Sequence, residues 1–465
     1  MSERTALAFD QREYTLPQLD ALANGMATVL EHRGVRSGDR VALMSSNRPE
    51  FVIALWAIWR LGAAAVLLSP AWKRTEVSNA VALTAPSHAV GDHPVLADVM
   101  PMLSLDEAIT PGQRTFEEPA PESDALFVFS SGTTGMPKAV RHTHGSFAAA
   151  VRHWRAALQL TPADRMQVMT PPSHILGLLN IVMALDTGAW IRLHRRFDID
   201  LMLHHIEADR ITVEMAVAPI ALALAAHPQL EHYDLSSLRY IMWCATPVAQ
   251  SVAEAVTART RVSWVTAYGT SELPVIACND LEGARLDTVG RPVPGVSVRI
   301  VSLDDGEVLS PGAIGEIQVR SDSVMAGYLP SEATSQAFSG DWYRTGDVGY
   351  LDVGGWLRIT DRAKEMIKVR GFQVAPAEIE AVLHGHPAVE DCAVFGVPDA
   401  ANGEAVIAAV KTCRPVEADV LVALVADRLA SYKRLNRVVF VPEIPRLPSG
   451  KVLRRVLKER LWTSV

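Results

Sequence analysis

The chain has 465 residues, 49% of them hydrophobic, and a formal net charge of −8. A chain of this length exceeds what one hydrophobic core normally organises, so we expect at least two compact domains. The acidic balance argues against a nucleic-acid-binding surface, because phosphate backbones are bound by clustered Lys and Arg. These properties favour an enzyme that acts on a small molecule.

Apolar runs of strand length alternate with longer runs of helical spacing, which is typical of α/β layers with buried sheets. The predicted strands are 40–44, 63–68, 125–129 and 241–244, and the predicted helices are 16–32 and 199–209. The longest apolar run, 51–69, is interrupted by Arg60 and Gly62. This pattern favours a buried helix, a glycine stop and a short strand over a membrane span.

The pattern changes in the last third of the chain. Residues 287–317 form short β-rich segments between Gly and Pro turns, which indicates a small β-subdomain. Residues 350–359 resemble a hairpin, and a compact α+β segment follows. We therefore expect a large α/β N-terminal domain with stacked mixed sheets over 1–361 and a small C-terminal domain over 362–465.

The cysteines are far apart and form no Cys-x-x-Cys pair, so neither a zinc site nor a disulfide framework is predicted. They are Cys244, Cys278, Cys392 and Cys413. We expect buried, reduced thiols in a cytoplasmic protein. Residues 1–20 are polar at the start and lack an apolar segment followed by a cleavage site, so no secretory signal is predicted.

The most informative motif is Phe129-Ser-Ser-Gly-Thr-Thr-Gly-Met-Pro-Lys138, which directly follows a predicted strand. Glycines let backbone N–H groups approach phosphate oxygens, hydroxyls add donors, and Lys138 supplies positive charge. The spacing is not that of a Walker A loop, because the lysine follows Pro137. A flexible Ser/Gly linker is the alternative, but the strand in front and the lysine at the end favour a polyphosphate-binding loop.

Four further motifs follow in a fixed order. They are Tyr268-Gly-Thr-Ser-Glu272, Tyr343-Arg-Thr-Gly-Asp347, Asp361-Arg-Ala-Lys-Glu-Met-Ile-Lys368 and Pro448-Ser-Gly-Lys451. Together with the loop, this series closely resembles the adenylate-forming superfamily of acyl-CoA synthetases, peptide-synthetase adenylation domains and firefly luciferase. Residues 327–334 also fit, and residues 370–378 are most similar to the 4-coumarate- and fatty-acid-CoA ligase branch.

The resemblance implies an ATP-dependent ligase. Such an enzyme joins a carboxylic acid to AMP, releases pyrophosphate, and then transfers the acyl group to coenzyme A. Its catalytic residues would be Lys451, Thr134, Glu272 and His174. ATP and AMP would be bound by Ser130, Ser131, Gly132, Thr133, Thr134, Gly135, Lys138, Ala245, Thr246, Pro247, Tyr268, Gly269, Thr270, Ser271, Asp347 and Arg362.

The implied roles agree with the chemistry of the residue types. Glu272 would hold Mg²⁺ against the ATP phosphates, which requires a hard anionic oxygen. Tyr268 would stack on adenine, and Asp347 would accept hydrogen bonds from the ribose, with Arg362 nearby. Taken alone, Glu272 and Asp347 are equally typical of residues that cap turns. Tyr268 taken alone is equally typical of an aromatic residue in the core. The joint order of the motifs argues against that interpretation.

Two half-reactions around one adenylate need two arrangements of the site. By resemblance, the C-terminal domain is mobile and rotates about a hinge at Lys364. Lys451 would neutralise charge during displacement of pyrophosphate, although without the other motifs it would be interpreted as a solvated lysine. Coenzyme A would be bound by Lys368, Gly371, Phe372 and Lys433. The alternative for Lys433 is an ordinary solvated Lys-Arg pair.

The acyl pocket would be lined by His174, Ile175, Leu178, Trp243, Leu273 and Val275. His174 matches the gate beside this pocket in the family, and helix capping is the competing interpretation. Amino-acid-activating members have Asp where this chain has Ile175, so we expect an acid without an α-amino group. Trp243 stands where a small residue is usual and would shorten the pocket. Alkyl and aryl acids both stay open.

Other interpretations stay open as well. A stand-alone enzyme that loads a carrier-protein thiol would share these motifs. A non-catalytic nucleotide-binding protein would be favoured by loss of Lys138, Glu272, Asp347 or Lys451, but all four are present. A homodimer is left open, and neither nucleic acid nor a membrane span is expected. The histidines His142, His144, His204 and His205 lack ligand spacing and are interpreted as structural.

Overall fold

The computed structural model describes residues 4–130, 138–244, 250–362, 365–369, 372–399, 403–429, 431–446 and 452–462. The strands in chain order are β1 (Thr5–Phe9), β2 (Arg12–Thr15), β3 (Arg40–Met44), β4 (Ala64–Leu68), β5 (His88–Gly91), β6 (Leu103–Ser104), β7 (Asp124–Ser130), β8 (Lys138–Thr143), β9 (Arg165–Val168), β10 (Trp190–Leu193), β11 (Val213–Ala216), β12 (Tyr240–Trp243), β13 (Trp264–Tyr268), β14 (Ala277–Cys278), β15 (Arg291–Pro292), β16 (Val296–Val301), β17 (Gly315–Ser321), β18 (Gly327–Leu329), β19 (Phe338–Ser339), β20 (Trp342–Leu351), β21 (Leu357–Arg362), β22 (Ile367–Val369), β23 (Phe372–Val374), β24 (Val389–Asp399), β25 (Gly403–Thr412) and β26 (Arg437–Phe440).

The helices in chain order are α1 (Leu16–His32), α2 (Pro49–Arg60), α3 (Arg74–Thr84), α4 (Pro94–Ala97), α5 (His144–Leu158), α6 (Ile175–Thr187), α7 (Ile199–Ala208), α8 (Ala218–Ala226), α9 (Gln250–Thr260), α10 (Glu332–Ser335), α11 (Pro376–His384), α12 (Ala418–Arg428) and α13 (Arg454–Trp462). Short 3₁₀ turns cover Leu230–His232 and Ser431–Lys433.

Local sequence signals account for the first elements. Thr15 accepts a hydrogen bond from the Gln18 N–H, and the Gln18 side chain accepts one from the Thr15 N–H, which forms a capping box for α1. The apolar run 51–69 begins within α2, turns at Gly62 with φ 65°, and ends in β4, as predicted. The predicted strands are confirmed as β3, β4, β7 and β12, and the predicted helices as α1 and α7.

Two large sheets carry most of the strands. The first has the order β15-β14-β13-β12-β11-β9-β10-β1-β2, and its strands β9 to β13 pair in parallel. The second has the order β18-β8-β7-β4-β3-β5-β6, with β4, β3, β5 and β7 parallel. Parallel sheets require cover on both faces, which agrees with the full burial of β4, β11 and β12.

Two smaller sheets follow. One has the order β16-β17-β20-β19, with β21 paired to β20, so that the predicted hairpin 350–359 is confirmed. The other has the order β23-β22-β25-β24, with β26 paired to β25. Apolar residues on α11 and α12, among them Ile379 and Leu421, pack against Val394 and Val406 of this last sheet. Its other hydrophobic cluster includes Phe395 and Leu457 of α13.

The chain forms two compact units. The first comprises Met1–Ala216, Ile220–Ser297 and Val319–Tyr343, and the second comprises Val217–Pro219, Val298–Gln318 and Arg344–Val465. The second unit takes in most of β16 and part of β17, because these strands belong to the same sheet as β20. The predicted boundary between residues 361 and 362 divides the chain differently and stays a prediction.

Three of the four cysteines are buried, as expected, but Cys413 is exposed and corrects the prediction of a buried thiol. It lies just beyond β25, where the chain leaves the sheet. Burial raises the pKa of Cys244 and of Cys278 to about 12, so both are neutral thiols. In the described part of the chain, no helix is long and apolar enough to cross a membrane.

Candidate active site

Three of the predicted site residues lie at one edge of the first sheet. Strands β9, β11, β12 and β13 are parallel neighbours, so their carboxyl ends share an edge. His174 lies between β9 and α6, Trp243 ends β12, and Tyr268 ends β13. Open α/β sheets bind their ligands at the carboxyl ends of strands. This edge is therefore the first part of the candidate site.

The second sheet supplies the phosphate-loop motif. Ser130 ends β7 and Lys138 begins β8, and the two residues are antiparallel partners in register. The two ends of the motif are thus held side by side by the β7–β8 ladder. The intervening residues 131–137 lie outside the described part of the chain.

Tyr328 connects the predicted phosphate-binding lysine to the predicted metal-binding glutamate. It lies on β18, which pairs with β8 through the partners Tyr328 and Val140. The Tyr328 hydroxyl donates a 2.7 Å hydrogen bond to Oε1 of Glu272. Nζ of Lys138 lies 5.1 Å from the centre of the Tyr328 ring, which is cation–π distance. Lys138 and Glu272 therefore contact opposite parts of one side chain.

Two further tyrosines accompany Tyr328 around Glu272. Burial raises the pKa of Tyr343 well above its usual value, and the charge of Glu272 and a hydrogen bond with Tyr328 act in the same direction. The nearby Tyr268 contributes to the same shift. Tyr343 is therefore a neutral phenol at physiological pH. Glu272 itself is largely buried, with 8% of its surface exposed, so this carboxylate acts in a medium that screens charge weakly.

The turn after β13 fixes the approach of Glu272. The Thr270 N–H donates to the Leu273 carbonyl at 3.0 Å, and the Thr270 hydroxyl accepts from the Leu273 N–H at 3.1 Å. A Cβ on Gly269 would lie 2.0 Å from the Pro274 carbonyl oxygen, so only glycine fits there. The Tyr-Gly-Thr-Ser-Glu motif is thus a closed turn that presents the glutamate.

His174 has one of the two roles considered for it. Its Nδ1 accepts a hydrogen bond from the Leu176 N–H at 3.3 Å and so caps α6. The ring is also reachable by solvent, although the protein around it lowers the pKa of His174 by desolvation. Capping is therefore observed, and the gating role stays a prediction.

The other residues predicted for the acyl pocket are all buried. They are Ile175, Leu178, Trp243, Leu273 and Val275, each no more than 5% exposed. The Trp243 ring packs against Trp264 at a centroid distance of 5.3 Å and an angle of 53°. Trp243 is thus packed against its neighbour and buried, and its role in setting the depth of the pocket stays a prediction.

The second unit holds the predicted ribose-binding pair. Asp347 on β20 and Arg362 on β21 are antiparallel register partners, so the two backbones lie side by side, and their role in ribose binding stays a prediction. Asp347 is 5% exposed, and its N–H donates to the Thr345 hydroxyl at 3.0 Å. The Thr345 hydroxyl in turn donates to the Ile317 carbonyl at 2.7 Å. The backbone at Asp347 is therefore fixed by the sheet around it.

Arg454 anchors the segment that follows Lys451. Its guanidinium donates to both carboxylate oxygens of Glu380, at 2.7 and 2.9 Å, and to the Val394 carbonyl at 2.9 Å. It also pairs with Glu365, the residue next to the predicted hinge. Hydrogen bonds between ionised groups are stronger than those between neutral groups. The start of α13 is thus tied to α11 and to Glu365 within the second unit.

The residues predicted to meet coenzyme A are only partly described. Lys368 on β22 is exposed, and its N–H donates to a Glu404 carboxylate oxygen at 2.7 Å. Nζ of Lys433 lies 2.6 Å from both carboxylate oxygens of Glu378. Lys433 is therefore already paired, so an incoming phosphate would have to compete with Glu378. The side chain of Phe372 is not described.

Several predicted site residues lie outside the described residues, and their roles stay predictions. They are Ser131, Gly132, Thr133, Thr134, Gly135, Ala245, Thr246, Pro247, Lys364, Gly371 and Lys451. Tyr328 and Tyr343 are residues at the site that received no role from the sequence. Both tyrosines lie within motifs that were recognised in the sequence. Their position beside Glu272 becomes apparent only from the hydrogen-bonded cluster in the structure.

Two family models match this chain. Residues 1–329 match the AMP-binding enzyme model, and residues 378–451 match the AMP-binding enzyme C-terminal domain. The chain belongs to the AMP-binding enzyme family. The predicted adenylate-forming superfamily, its α/β fold with a smaller C-terminal domain, and the class of acid–thiol ligase are thereby confirmed.

Individual relatives place this family member near the CoA ligases. The 4-coumarate–CoA ligase 1 of Solanum tuberosum is 32% identical, over 98% of this chain and 90% of the relative. Among solved structures, o-succinylbenzoate CoA synthetase from Bacillus subtilis, in complex with an acyl-adenylate, has a TM-score of 0.89 and 30% identity, covering 98% and 95% of the two chains. The amide bond synthetase McbA from Marinactinospora thermotolerans has a TM-score of 0.91 and 32% identity, covering 99% and 97%.

Proposed function

We propose that this protein activates a carboxylic acid lacking an α-amino group as its acyl-adenylate and transfers the acyl group to coenzyme A. The observation that carries the proposal is the contact of Lys138 and Glu272 with the same tyrosine, Tyr328. A metal-bound polyphosphate needs a cation and a carboxylate close together. The cation, Lys138, would neutralise phosphate charge, and the carboxylate, Glu272, would bind the metal.

In the first half-reaction a carboxylate oxygen of the acid attacks the α-phosphorus of ATP, and the bond to pyrophosphate breaks. Lys138 would hold the phosphates, and Lys451 would offset the charge that builds at the α-phosphate. The buried side chains of Tyr343 and Tyr328 would keep bulk water away from Glu272 and so strengthen its attraction for a cation. In the second half-reaction a thiolate attacks the acyl carbon, and the bond to AMP breaks.

The residues present fit a magnesium ion. Tyr328 donates to Oε1 of Glu272, and a carboxylate has a second oxygen with which it can bind a cation. Mg²⁺ is usually held by one or two carboxylates together with substrate phosphates and water. When bound, the ion would neutralise phosphate charge, while Glu272 fixes its position.

The apolar character of the predicted pocket supports the choice of acid. Ile175 is buried where amino-acid-activating members carry a carboxylate, and an ammonium group there would lack a counter-ion. The rigid pair Trp243 and Trp264 favours a short alkyl or a compact aryl acid. For the acceptor, the 4-coumarate–CoA ligase relatives support free coenzyme A. A carrier-protein thiol is a competing outcome of the test, and so is an amine, because McbA is named an amide bond synthetase.

The proposal is tested by ATP/pyrophosphate exchange with a panel of alkyl and aryl acids, followed by product analysis with coenzyme A, a phosphopantetheinylated carrier protein or an amine. We expect acid-dependent exchange and a thioester of free coenzyme A. Binding of ATP without exchange for any acid would indicate a non-catalytic nucleotide-binding protein instead. Exchange with transfer only to a carrier protein or an amine would retain the adenylate and overturn the acceptor.

A further inference from the structure

Lys138 begins β8, and His142 lies near the other end of this strand. The ring of His142 is fully buried. Its Nε2 is 2.8 Å from the backbone carbonyl oxygen of Ser271, the residue before Glu272. Its Nδ1 is 3.3 Å from the Ser146 hydroxyl oxygen. We propose that His142 is a positioning residue that fixes the Ser271 peptide and thereby aims the Glu272 carboxylate at the metal of bound ATP. This inference rests on the proposed role of Glu272.

The protonation state of the ring follows from its surroundings. Burial lowers the pKa of His142 to about 4, so the imidazole is neutral at physiological pH. A neutral imidazole has one donor and one acceptor. Since a carbonyl oxygen can only accept, Nε2 carries the proton and donates a hydrogen bond to Ser271, which leaves Nδ1 unprotonated. The Ser146 hydroxyl has one proton and lies within reach of both Nδ1, at 3.3 Å, and the Thr143 carbonyl, at 3.2 Å. The tautomer is therefore set by the Ser271 carbonyl.

Ser146 fixes His142 from the other side. Ser146 is in the first turn of α5, and its hydroxyl oxygen accepts from the Thr143 N–H at 3.1 Å. The Ser146 N–H donates to the Thr143 hydroxyl at 3.1 Å, which completes a capping box. The ring of His142 is thus held by the start of a helix. Nε2 of this ring donates to the carbonyl of Ser271, which lies 129 residues further along the chain.

The geometry constrains Glu272 at two points. Its side chain accepts the Tyr328 hydroxyl at 2.7 Å, and its own carbonyl accepts the Met325 N–H at 2.7 Å. The preceding peptide is held by His142. Tyr328 and His142 both act from β8 or from its partner strand β18, so the strand that carries Lys138 also sets the position of Glu272. A site that depends on angstrom-scale placement of a metal ligand needs such support.

A binding measurement separates positioning from general structural support. The affinity for ATP is measured by calorimetry, without acid or coenzyme A, once with excess Mg²⁺ and once with EDTA. The ratio of the two dissociation constants is the magnesium-dependent gain. In His142→Leu we expect this gain to fall about tenfold, with the affinity in EDTA unchanged, because the nucleotide contacts remain while Glu272 loses its orientation. A merely structural defect would weaken both affinities.

Two further variants make the test specific. His144→Leu is the matched control, because His144 is a partly buried histidine two residues further along the chain, its buried Nε2 has no partner among the described residues, and it packs edge-on against Trp59. It should keep the full gain. His142→Gln retains an N–H at about the reach of Nε2 and should recover most of the gain, whereas the shorter His142→Asn should not. If His142→Leu does not fold, the Gln and Asn pair decides.

The outcomes are distinct. A wild-type magnesium-dependent gain that persists undiminished in His142→Leu, or is equal in the Gln and Asn variants, overturns the positioning role and leaves the proposed function intact. A wild-type protein without any such gain contradicts the metal role of Glu272, and the inference about His142 falls with it. A loss in His144→Leu equal to that in His142→Leu would show that both act through packing alone, which also overturns the inference.

Discussion

The hydroxyl of Tyr328 donates a 2.7 Å hydrogen bond to Oε1 of Glu272, while its ring faces the ammonium group of Lys138. One side chain therefore connects the two charges that we assign to the metal and to the phosphates. A charge-assisted hydrogen bond of this kind holds a carboxylate in one rotamer. Tyr328 thereby limits the orientations that are open to Glu272.

Glu272→Ala should abolish most adenylation and raise the Mg²⁺ concentration needed for half-maximal rate, because the metal loses its protein ligand. We expect a loss of at least about a hundredfold, the scale of removing one electrostatic contact to a transition state. ATP/pyrophosphate exchange at several Mg²⁺ concentrations measures it, with circular dichroism to check the fold. Wild-type exchange at low Mg²⁺ would remove Glu272 from the site.

Tyr328→Phe retains the ring beside Lys138 and removes only the donor to Glu272. The loss of a hydrogen bond to a charged group is worth about 1.5 to 3 kcal/mol, so Mg²⁺ activation should weaken by about tenfold or more. Tyr350→Phe, on β20 in the second unit, is the control. If the Mg²⁺ concentration needed for half-maximal rate is unchanged, Tyr328 does not orient Glu272. If this concentration is lower in the variant, Tyr328 competes with the metal for the carboxylate.

Trp243→Ala should shift acid preference toward bulkier acids, because the indole is rigidly packed at the end of β12 and its removal opens volume. The same change should lower stability by about 3 to 5 kcal/mol. Trp190→Ala, in β10 of the same sheet, removes an equally buried indole and should lower stability without changing preference. Initial rates over an acid series decide, and an unchanged profile places Trp243 outside the pocket.

Glu214 should make stability depend on pH. Burial raises its pKa from 4.5 to about 8, despite a 2.7 Å hydrogen bond from the Gln167 amide. The unfolded chain releases this proton near pH 4.5 and the folded protein keeps it to about pH 8. The folded state therefore loses stability as pH rises between these values, and the contribution is constant above them.

Glu214→Gln should remove that dependence. Above pH 8, the variant should be more stable than the wild type by up to about 5 kcal/mol, since one pKa unit corresponds to about 1.4 kcal/mol. Urea denaturation of both proteins from pH 5 to 8.5 measures the difference. Glu254→Gln on the exposed face of α9 should follow the wild type. A stability difference that does not vary with pH would show that Glu214 is ionised in the folded state.

Lys451→Ala should separate the two half-reactions. It should lose most ATP/pyrophosphate exchange, an effect of about 3 to 4 kcal/mol, yet form thioester at near wild-type rate from synthetic acyl-adenylate and coenzyme A. Lys364→Pro should show the reverse, because a fixed φ at the hinge traps the adenylating arrangement. Equal slowing of both steps by both variants would argue against domain rotation about Lys364.

The sequence predicted what is encoded locally. The bounds of α1 follow from its helical spacing and from the capping box of Thr15 and Gln18. The motifs identified Lys138 and Glu272 because their order along the chain is distinctive. Cys413 was wrongly predicted to be buried, because an apolar residue just past a buried strand has the same local pattern as one within the strand.

Contacts across long sequence separation could not be predicted. Tyr328 and Glu272 are 56 residues apart, and His142 and Ser271 are 129 apart. The first contact joins β18 to the turn after β13, and the second joins β8 to the same turn. No local pattern specifies either arrangement. His142 was interpreted as structural because it lacks ligand spacing, but its hydrogen bond reaches the motif that carries Glu272.

In the proposed reaction a carboxylate oxygen of the acid becomes bonded to the α-phosphorus of ATP. The most direct test uses the acid with the highest exchange rate, labelled with ¹⁸O in both carboxylate oxygens, together with ATP, Mg²⁺ and coenzyme A. Attack of the thiol on the acyl carbon leaves the bridging oxygen on AMP, so mass spectrometry should find one ¹⁸O atom in each AMP formed. Label in inorganic phosphate with formation of ADP, or AMP without label, would contradict the acyl-adenylate.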